Sequence, residues 1–286
     1  MFNVTSKTSK PFDFITTSKP SPKPRKNGII EVRGPYYSAV TLDYLKGLLD
    51  DWGEYIDGLK FAGGSFSLLS EARLTEYIKI CHNHDVFVDT GGWIERVLVD
   101  GKEVVDKYIS TCKKVGFDIV EVSSGMAPEI MNMSVGDKVA IVKKISQMGM
   151  KPKPEVSIMV GAGAGTHVGG YEEAMKYRNI EDFVKETRAY LDAGAELIMV
   201  ESEGITEDLP QEKWRVDVIQ RLLKEFGYEK LMFESSDPPV FKWYLKNVGR
   251  DVNLFIDHSQ TVEFTAWKYG LWGDKEIWKG KTIEYK

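Results

Sequence analysis

The chain has 286 residues, 43 of them acidic and 38 basic, for a net charge of −5, and 42% of them are hydrophobic. That apolar share can fill one large core, and the acidic balance excludes the basic face of a nucleic-acid binder. No run approaches the ~18 apolar residues that would cross a membrane.

Residues 1–27 are rich in Ser, Thr, Pro and Lys, with six basic residues against the single acid Asp13. Such a segment buries too little surface to offset its ordering entropy, so a disordered tail is expected. Prolines at 11, 20, 22 and 24 oppose an amphipathic targeting helix, and no apolar signal segment opens the chain. Cys81 and Cys112 fall in helical patterns away from any Cys-x-x-Cys spacing. Reduced thiols and a cytoplasmic location are expected.

From Gly28 the pattern changes to short apolar runs, each ending in an ionisable residue and a Gly/Ser/Pro turn. The first strand is expected at 29–32, followed by a helix over 41–52 with Leu42, Leu45, Leu48 and Leu49 on one face. The second strand, 56–61, runs into Gly63-Gly64-Ser65, and Ser70 caps a helix over 70–82. Strands follow at 86–89 and 117–121, with helices near 104–115 and 134–148. The fifth strand, 151–156, contains Pro152 and Pro154, awkward residues for a sheet interior. A long glycine-rich connection over 158–178 reads as either functional or disordered, a mobile lid over the mouth being the functional reading. No Gly-Lys-Ser/Thr follows it, so it is not a P-loop. Helices at 181–193, 213–226 and 239–248 alternate with strands at 196–201, 230–234 and 252–257, and a last helix runs to about 269. Eight strands alternating with helices predict one (β/α)8 TIM barrel over 28–286.

The strand tips are Arg33, Lys60, Asp89, Glu121, Glu155, Glu201, Glu234 and Asp257, six acids and two bases. Each alone could cap a helix or pair with a neighbour. At one barrel mouth they crowd like charges, which costs free energy unless a cation or basic ligand neutralises them. Hard oxygen donors suit Mg2+, with Glu121, Glu155 and Glu201 as its expected ligands and a small anionic substrate beside it. His258 and Ser259 follow the eighth tip, where barrels often hold phosphate, and Gly64 and Ser65 let backbone N–H groups approach an anion. Local hydrogen bonding at His258 and a tight turn at Gly64 are the plainer readings. The tryptophans at 93, 243, 267, 272 and 278 are read as packing.

The ensemble Arg33-Gly34, Tyr55–Phe61, Gly116–Ser123, Asp192–Ala195, Phe233-Glu234, Val252–Leu254 and Gly270–Asp274 resembles the phosphosulfolactate synthase family over roughly residues 29–274. Arg33–Tyr36, Lys60–Ser67 and Val252–Gln260 are most similar to its plant heat-stress-associated branch. The resemblance implies Mg2+-dependent addition of sulfite to phosphoenolpyruvate. Lys60 would be the proton donor, and Glu121, Glu155, Glu201 and Glu234 match acidic positions. Asn253 matches a last-strand asparagine, and Arg33 joins Glu234, Asn253, His258 and Ser259 as substrate contacts. Where the family carries further basic residues, this chain has Tyr36–Ala39, Val156–Met159, Glu201–Glu203 and Ser235–Pro238. Arg33 and Lys60, with Arg178 or Lys153, are left to neutralise an anionic substrate. The plant branch also implies the alternative of a non-catalytic barrel acting through protein partners, and a homo-oligomer is compatible with either.

Overall fold

The computed structural model describes residues 10–123, 133–159, 178–207, 209–235 and 237–279. Eight parallel strands close into a barrel in sequence order: β1 (Ile30–Arg33), β2 (Gly58–Lys60), β3 (Phe87–Asp89), β4 (Ile119–Val122), β5 (Lys151–Val156), β6 (Ile198–Val200), β7 (Leu231–Glu234) and β8 (Asn253–Asp257). Around them lie α1 (Leu42–Trp52), α2 (Glu71–His82), α3 (Ile94–Val99), α4 (Lys102–Val115), α5 (Val135–Gln147), α6 (Ile180–Asp192), α7 (Val216–Phe226), α8 (Pro238–Asn247) and α9 (Thr261–Tyr269). The expected TIM barrel is the fold. The sequence pattern did not anticipate α3, whose six residues follow β3 through a single tight turn at Gly91–Trp93.

Period two along the strands sorts the side chains into two separate apolar groups. Val32, Leu59, Val88, Val120, Val200, Phe233, Leu254 and Ile256 join the helix residues Leu45, Leu49, Ile78 and Phe241 in the outer core. Met199, Met232 and Phe255 pack with each other inside the barrel. Helix starts follow local chemistry. The Thr41 and Ser70 hydroxyls accept the backbone N–H groups of Tyr44 and Arg73, and Ser134 forms a reciprocal capping box with Asp137.

β5 keeps both prolines in a central strand. Lys151 N–H donates to Asp118 O of the β4 side, so by alternation the ring nitrogens of Pro152 and Pro154 face β6. Pairing with β6 begins only at Glu155, beyond both prolines, so no ladder bond is lost.

The N-terminal segment departs from the expected tail. Residues 1–9 lie outside the described residues, but from Ser18 the chain is tied down. Ser18 N–H donates to Tyr269 O, Lys23 Nζ to His84 O, and the Arg25 guanidinium pairs with the Asp57 carboxylate at 2.7 Å, both side chains buried. Composition missed this because the segment is anchored by polar groups rather than by apolar burial. Of the candidate lid over 158–178, only the ends are described. Ile158 O accepts from Arg178 N–H at 2.8 Å, so the two ends meet. The rest lies outside the described residues.

Candidate active site

Side chains two residues apart on a strand share a face, so each tip residue has an inward neighbour one layer below. In β1 that pair is Arg33 above Glu31, and in β5 Glu155 above Lys153. In β6, β7 and β8 the apolar Met199, Met232 and Phe255 lie below Glu201, Glu234 and Asp257. The interior is therefore half ionic and half apolar.

On the ionic side Lys153, 1% exposed, is the hub. Its ammonium pairs with Glu31 at 2.6 Å, with Glu121 at 3.2 Å and with Asp89. Burial alone would lower its pKa, but the surrounding carboxylates outweigh burial and hold it charged, above the ordinary lysine range. Burial pushes the Asp89 carboxyl up to about 6 against the pull of Lys153. Sequence reading named Lys153 only as a spare positive charge and did not find Glu31. The usable signal was the spacing, a charged residue two positions before a charged tip.

Above this layer, Lys60 Nζ lies 2.9 Å from Glu121 Oε2 and 3.8 Å from Glu155 Oε2, and 4.5 Å from the centre of the Phe255 ring. Glu121 Oε2 sits at ion-pair distance from both lysines, and neither Glu121 oxygen has an aligned hydrogen bond. Burial works against the Lys60 charge, but Glu121, Glu155 and Glu234 override it and hold the ammonium protonated. Arg33 shares the Phe255 face at 5.0 Å, pairs with Glu234, and carries the exposed ring of Tyr37 at 4.7 Å.

Across the mouth Glu201, Glu207 and Glu234 bring one carboxylate oxygen each to within 4.8 Å of one another. Glu207 stands in the loop after β6 and is hydrogen-bonded by Ser202 Oγ. Burial, then neighbouring carboxylates, raise Glu155 and Glu201 well above the usual range. Glu234 is lowered despite its burial, because Glu201 donates a hydrogen bond to it and Arg33 and Lys60 lie close. Glu201 and Glu234 share a proton, and with Glu207 they present three hard oxygens that could hold a divalent cation.

Lys60, Glu121, Glu155, Glu201 and Glu234 thus meet in one mouth, with Arg33 between Glu234 and Asp257. The expected metal trio is redistributed. Glu121 and Glu155 are partners of Lys60, and only Glu201 stands with the carboxylate group that also contains Glu207, a residue sequence reading did not single out. Asn253 is a correction. It opens β8 at the opposite, N-terminal rim, where its side chain accepts from Ile29 N–H and donates to Tyr228 O and Leu231 O. It ties strand starts together and is remote from the mouth.

Gly64 has φ +68°, and a Cβ there would lie 2.1 Å from the Trp93 indole, so its bareness makes room for a ring. Ser65 Oγ is buried and unpartnered. Ser259 is exposed, and its N–H and hydroxyl are both held by Asp257. His258 turns away from the carboxylates, toward Ser38 and Tyr44. Both cysteines are free and fully buried, which pushes each thiol up to about 12. Among the described residues no helix is long and apolar enough to cross a membrane.

The sequence pattern of the (2R)-phospho-3-sulfolactate synthase (ComA) family matches residues 18–274. Protein HEAT-STRESS-ASSOCIATED 32 of Arabidopsis thaliana is 31% identical over 250 residues, covering 84% of this chain and 85% of the relative. Phosphosulfolactate synthase of Methanocaldococcus jannaschii is 25% identical over 238 residues, covering 81% of this chain and 86% of that one. Among solved structures, 3-keto-L-gulonate-6-phosphate decarboxylase from Vibrio cholerae is similar at a TM-score of 0.49 and 12% identity, covering 90% of this chain and 100% of that one. With its family pattern spanning most of the barrel, the chain belongs to the (2R)-phospho-3-sulfolactate synthase (ComA) family.

Proposed function

We propose that the mouth catalyses addition of sulfite to phosphoenolpyruvate or a related anionic enol compound, with Lys60 as the proton donor. The observation that carries this reading is the Lys60 ammonium, held over Phe255 between Glu121 and Glu155 at the tip of β2. The sulfite sulfur bonds to the methylene carbon, the double-bond electrons move toward the substrate carboxylate, and Lys60 Nζ delivers a proton to the adjacent carbon. Arg33 and Lys60 offset the negative charge of the substrate, while Glu121 and Glu155 orient the ammonium. Glu201, Glu207 and Glu234 are the residues that would hold Mg2+. When bound, the ion would supply positive charge beside the carboxylate on which charge develops.

Purified protein incubated with phosphoenolpyruvate, sulfite and Mg2+ should yield phosphosulfolactate by mass spectrometry. Lys60→Ala should lower the rate roughly a hundredfold or more. No product from wild type, under conditions in which it is folded, overturns the sulfite chemistry.

A second reading has its own support. The carboxyls of the mouth outnumber Arg33, Lys60 and Lys153, which is poor neutralisation for a substrate bearing phosphate, carboxylate and sulfite, and the plant relative is named for heat stress. In that reading the barrel acts in heat-stress recovery through protein partners. A folded Lys60→Ala, Glu121→Ala variant should then rescue the heat phenotype of a deletion strain as well as wild type does, and failure of that rescue refutes it.

A further inference from the structure

Beside the carboxylate mouth, the β1–α1 loop and the turn after β8 meet in a second arrangement of chemical groups. His258, 9% exposed, spans two hydroxyls. Its Nε2 lies 2.9 Å from Ser38 Oγ and its Nδ1 lies 2.8 Å from the Tyr44 hydroxyl, with the two rings edge-on at 5.1 Å. Ser38 itself is exposed. A reachable hydroxyl, a shielded imidazole on it and a third group on the far ring nitrogen is the geometry of an activated nucleophile.

The alternative partners are accounted for. Asp257, the neighbouring carboxylate, is turned to Ser259 N–H at 2.9 Å and to Arg33 at 4.0 Å, so the hydroxyl of Ser259 is taken and Tyr44 is what orients the imidazole. The charges that reach His258 are those of Asp257, which favours its protonation, and Arg33, which opposes it. Burial, with Arg33 acting in the same direction, outweighs Asp257 and lowers the pKa of His258, leaving a neutral base at pH 7.

We propose that Ser38 and His258 form an acyl-transfer site on the rim of the barrel, positioned by Tyr44, that takes small uncharged carboxylic esters. Ser38 Oγ attacks the ester carbonyl carbon and passes its proton to His258 Nε2. The bond from that carbon to the alcohol oxygen breaks, and His258 returns the proton to the departing alcohol. A water then attacks the Ser38 ester and gives a proton to the same nitrogen; the bond from the acyl carbon to Ser38 Oγ breaks, His258 returns the proton to that oxygen, and the carboxylic acid leaves. The exposed rings of Tyr36 and Tyr37 immediately precede Ser38 in the chain and offer an apolar surface to the acyl or aryl group. Arg33 is the cation on this side of the mouth. The apolar faces of Tyr36 and Tyr37 set the preference for an uncharged ester.

The test uses the full chain and an ethyl fluorophosphonate probe, with neither Mg2+ nor phosphoenolpyruvate, so it is independent of the chemistry at Lys60. Peptide mass spectrometry should find a single adduct on Ser38, absent from Ser38→Ala. His258→Gln should slow labelling roughly a hundredfold. Tyr44→Phe keeps the ring and should slow labelling about tenfold while moving the pH midpoint of the labelling rate. Absence of the Ser38 adduct in wild type overturns the proposal. So does a folded His258→Gln labelled at the wild-type rate. Should His258→Gln fail to fold, Tyr44→Phe decides, and an unchanged rate and midpoint overturn it.

Discussion

Lys153 and Lys60 show how a buried charge is kept by its neighbours. Neither would remain protonated alone at such depth, and each is held by carboxylates arriving from other strands. The reverse holds for Asp89, whose carboxyl is pushed up to about 6 from an ordinary 3.8, burial being the main cause. A raised carboxyl pKa means the folded state binds the proton more tightly than the unfolded chain does. Its stabilising contribution is therefore complete below pH 3.8 and is lost as pH rises through about 6. Thermal melts across that window should show a decline that Asp89→Asn flattens. Gly64 supports a different prediction. Its φ of +68° and the Trp93 indole 2.1 Å from where a Cβ would stand make Gly64→Ala destabilising, whatever the substrate. The expected cost is about 2 kcal/mol or more, read as a lowered urea midpoint. Sequence reading offered Gly64 as an anion contact because a glycine turn looks the same whether its bareness serves a ligand or a ring.

At the scale of elements, the segment before β1 is the main departure from what composition suggests. Burial holds the Asp57 carboxyl above its usual range even though Arg25 pulls it down, so the pair offsets a desolvation cost more than it adds net stability. Removing one partner should be expensive. Arg25→Ala should cost about 3 kcal/mol in chemical denaturation, and Arg25→Met combined with Asp57→Asn should recover part of that. A cost below ~0.5 kcal/mol would show that the segment is dispensable. β5 teaches the complementary lesson. Its prolines were awkward only under the assumption that both flanks need ladder bonds along the whole strand, and the register to β6 removes that need.

For the whole molecule, the mouth gathers more carboxyls than cations, and burial followed by that crowding raises the pKa of Glu155 and Glu201. A divalent cation held by Glu201, Glu207 and Glu234 should relieve the same crowding. MgCl2 should therefore raise the melting temperature above that in NaCl of equal ionic strength. At a hundred times the dissociation constant the gain is about 2.7 kcal/mol, and Glu207→Gln should remove most of it. Equal melting temperatures in the two salts count against a cation there.

The barrel itself was legible along the chain because its causes are local. Apolar runs ending in single ionisable residues, Thr41 and Ser70 at helix starts, and eight repeats of one pattern need no knowledge of distant contacts. The tip residues Lys60, Glu121, Glu155, Glu201 and Glu234 were legible for the same reason, since a strand end in a closed parallel barrel has one mouth to face. Which of them pair could not be read. Strand stagger, not sequence order, sets Lys60 between Glu121 and Glu155, puts Lys153 beneath them, and brings Glu207 from a loop to Glu201 and Glu234. Asn253 lies at the far rim because it opens β8, a placement the expected strand over 252–257 already implied and the resemblance overrode. Local propensity and periodicity determined the elements, and the closure of the barrel alone decided which charges share a space.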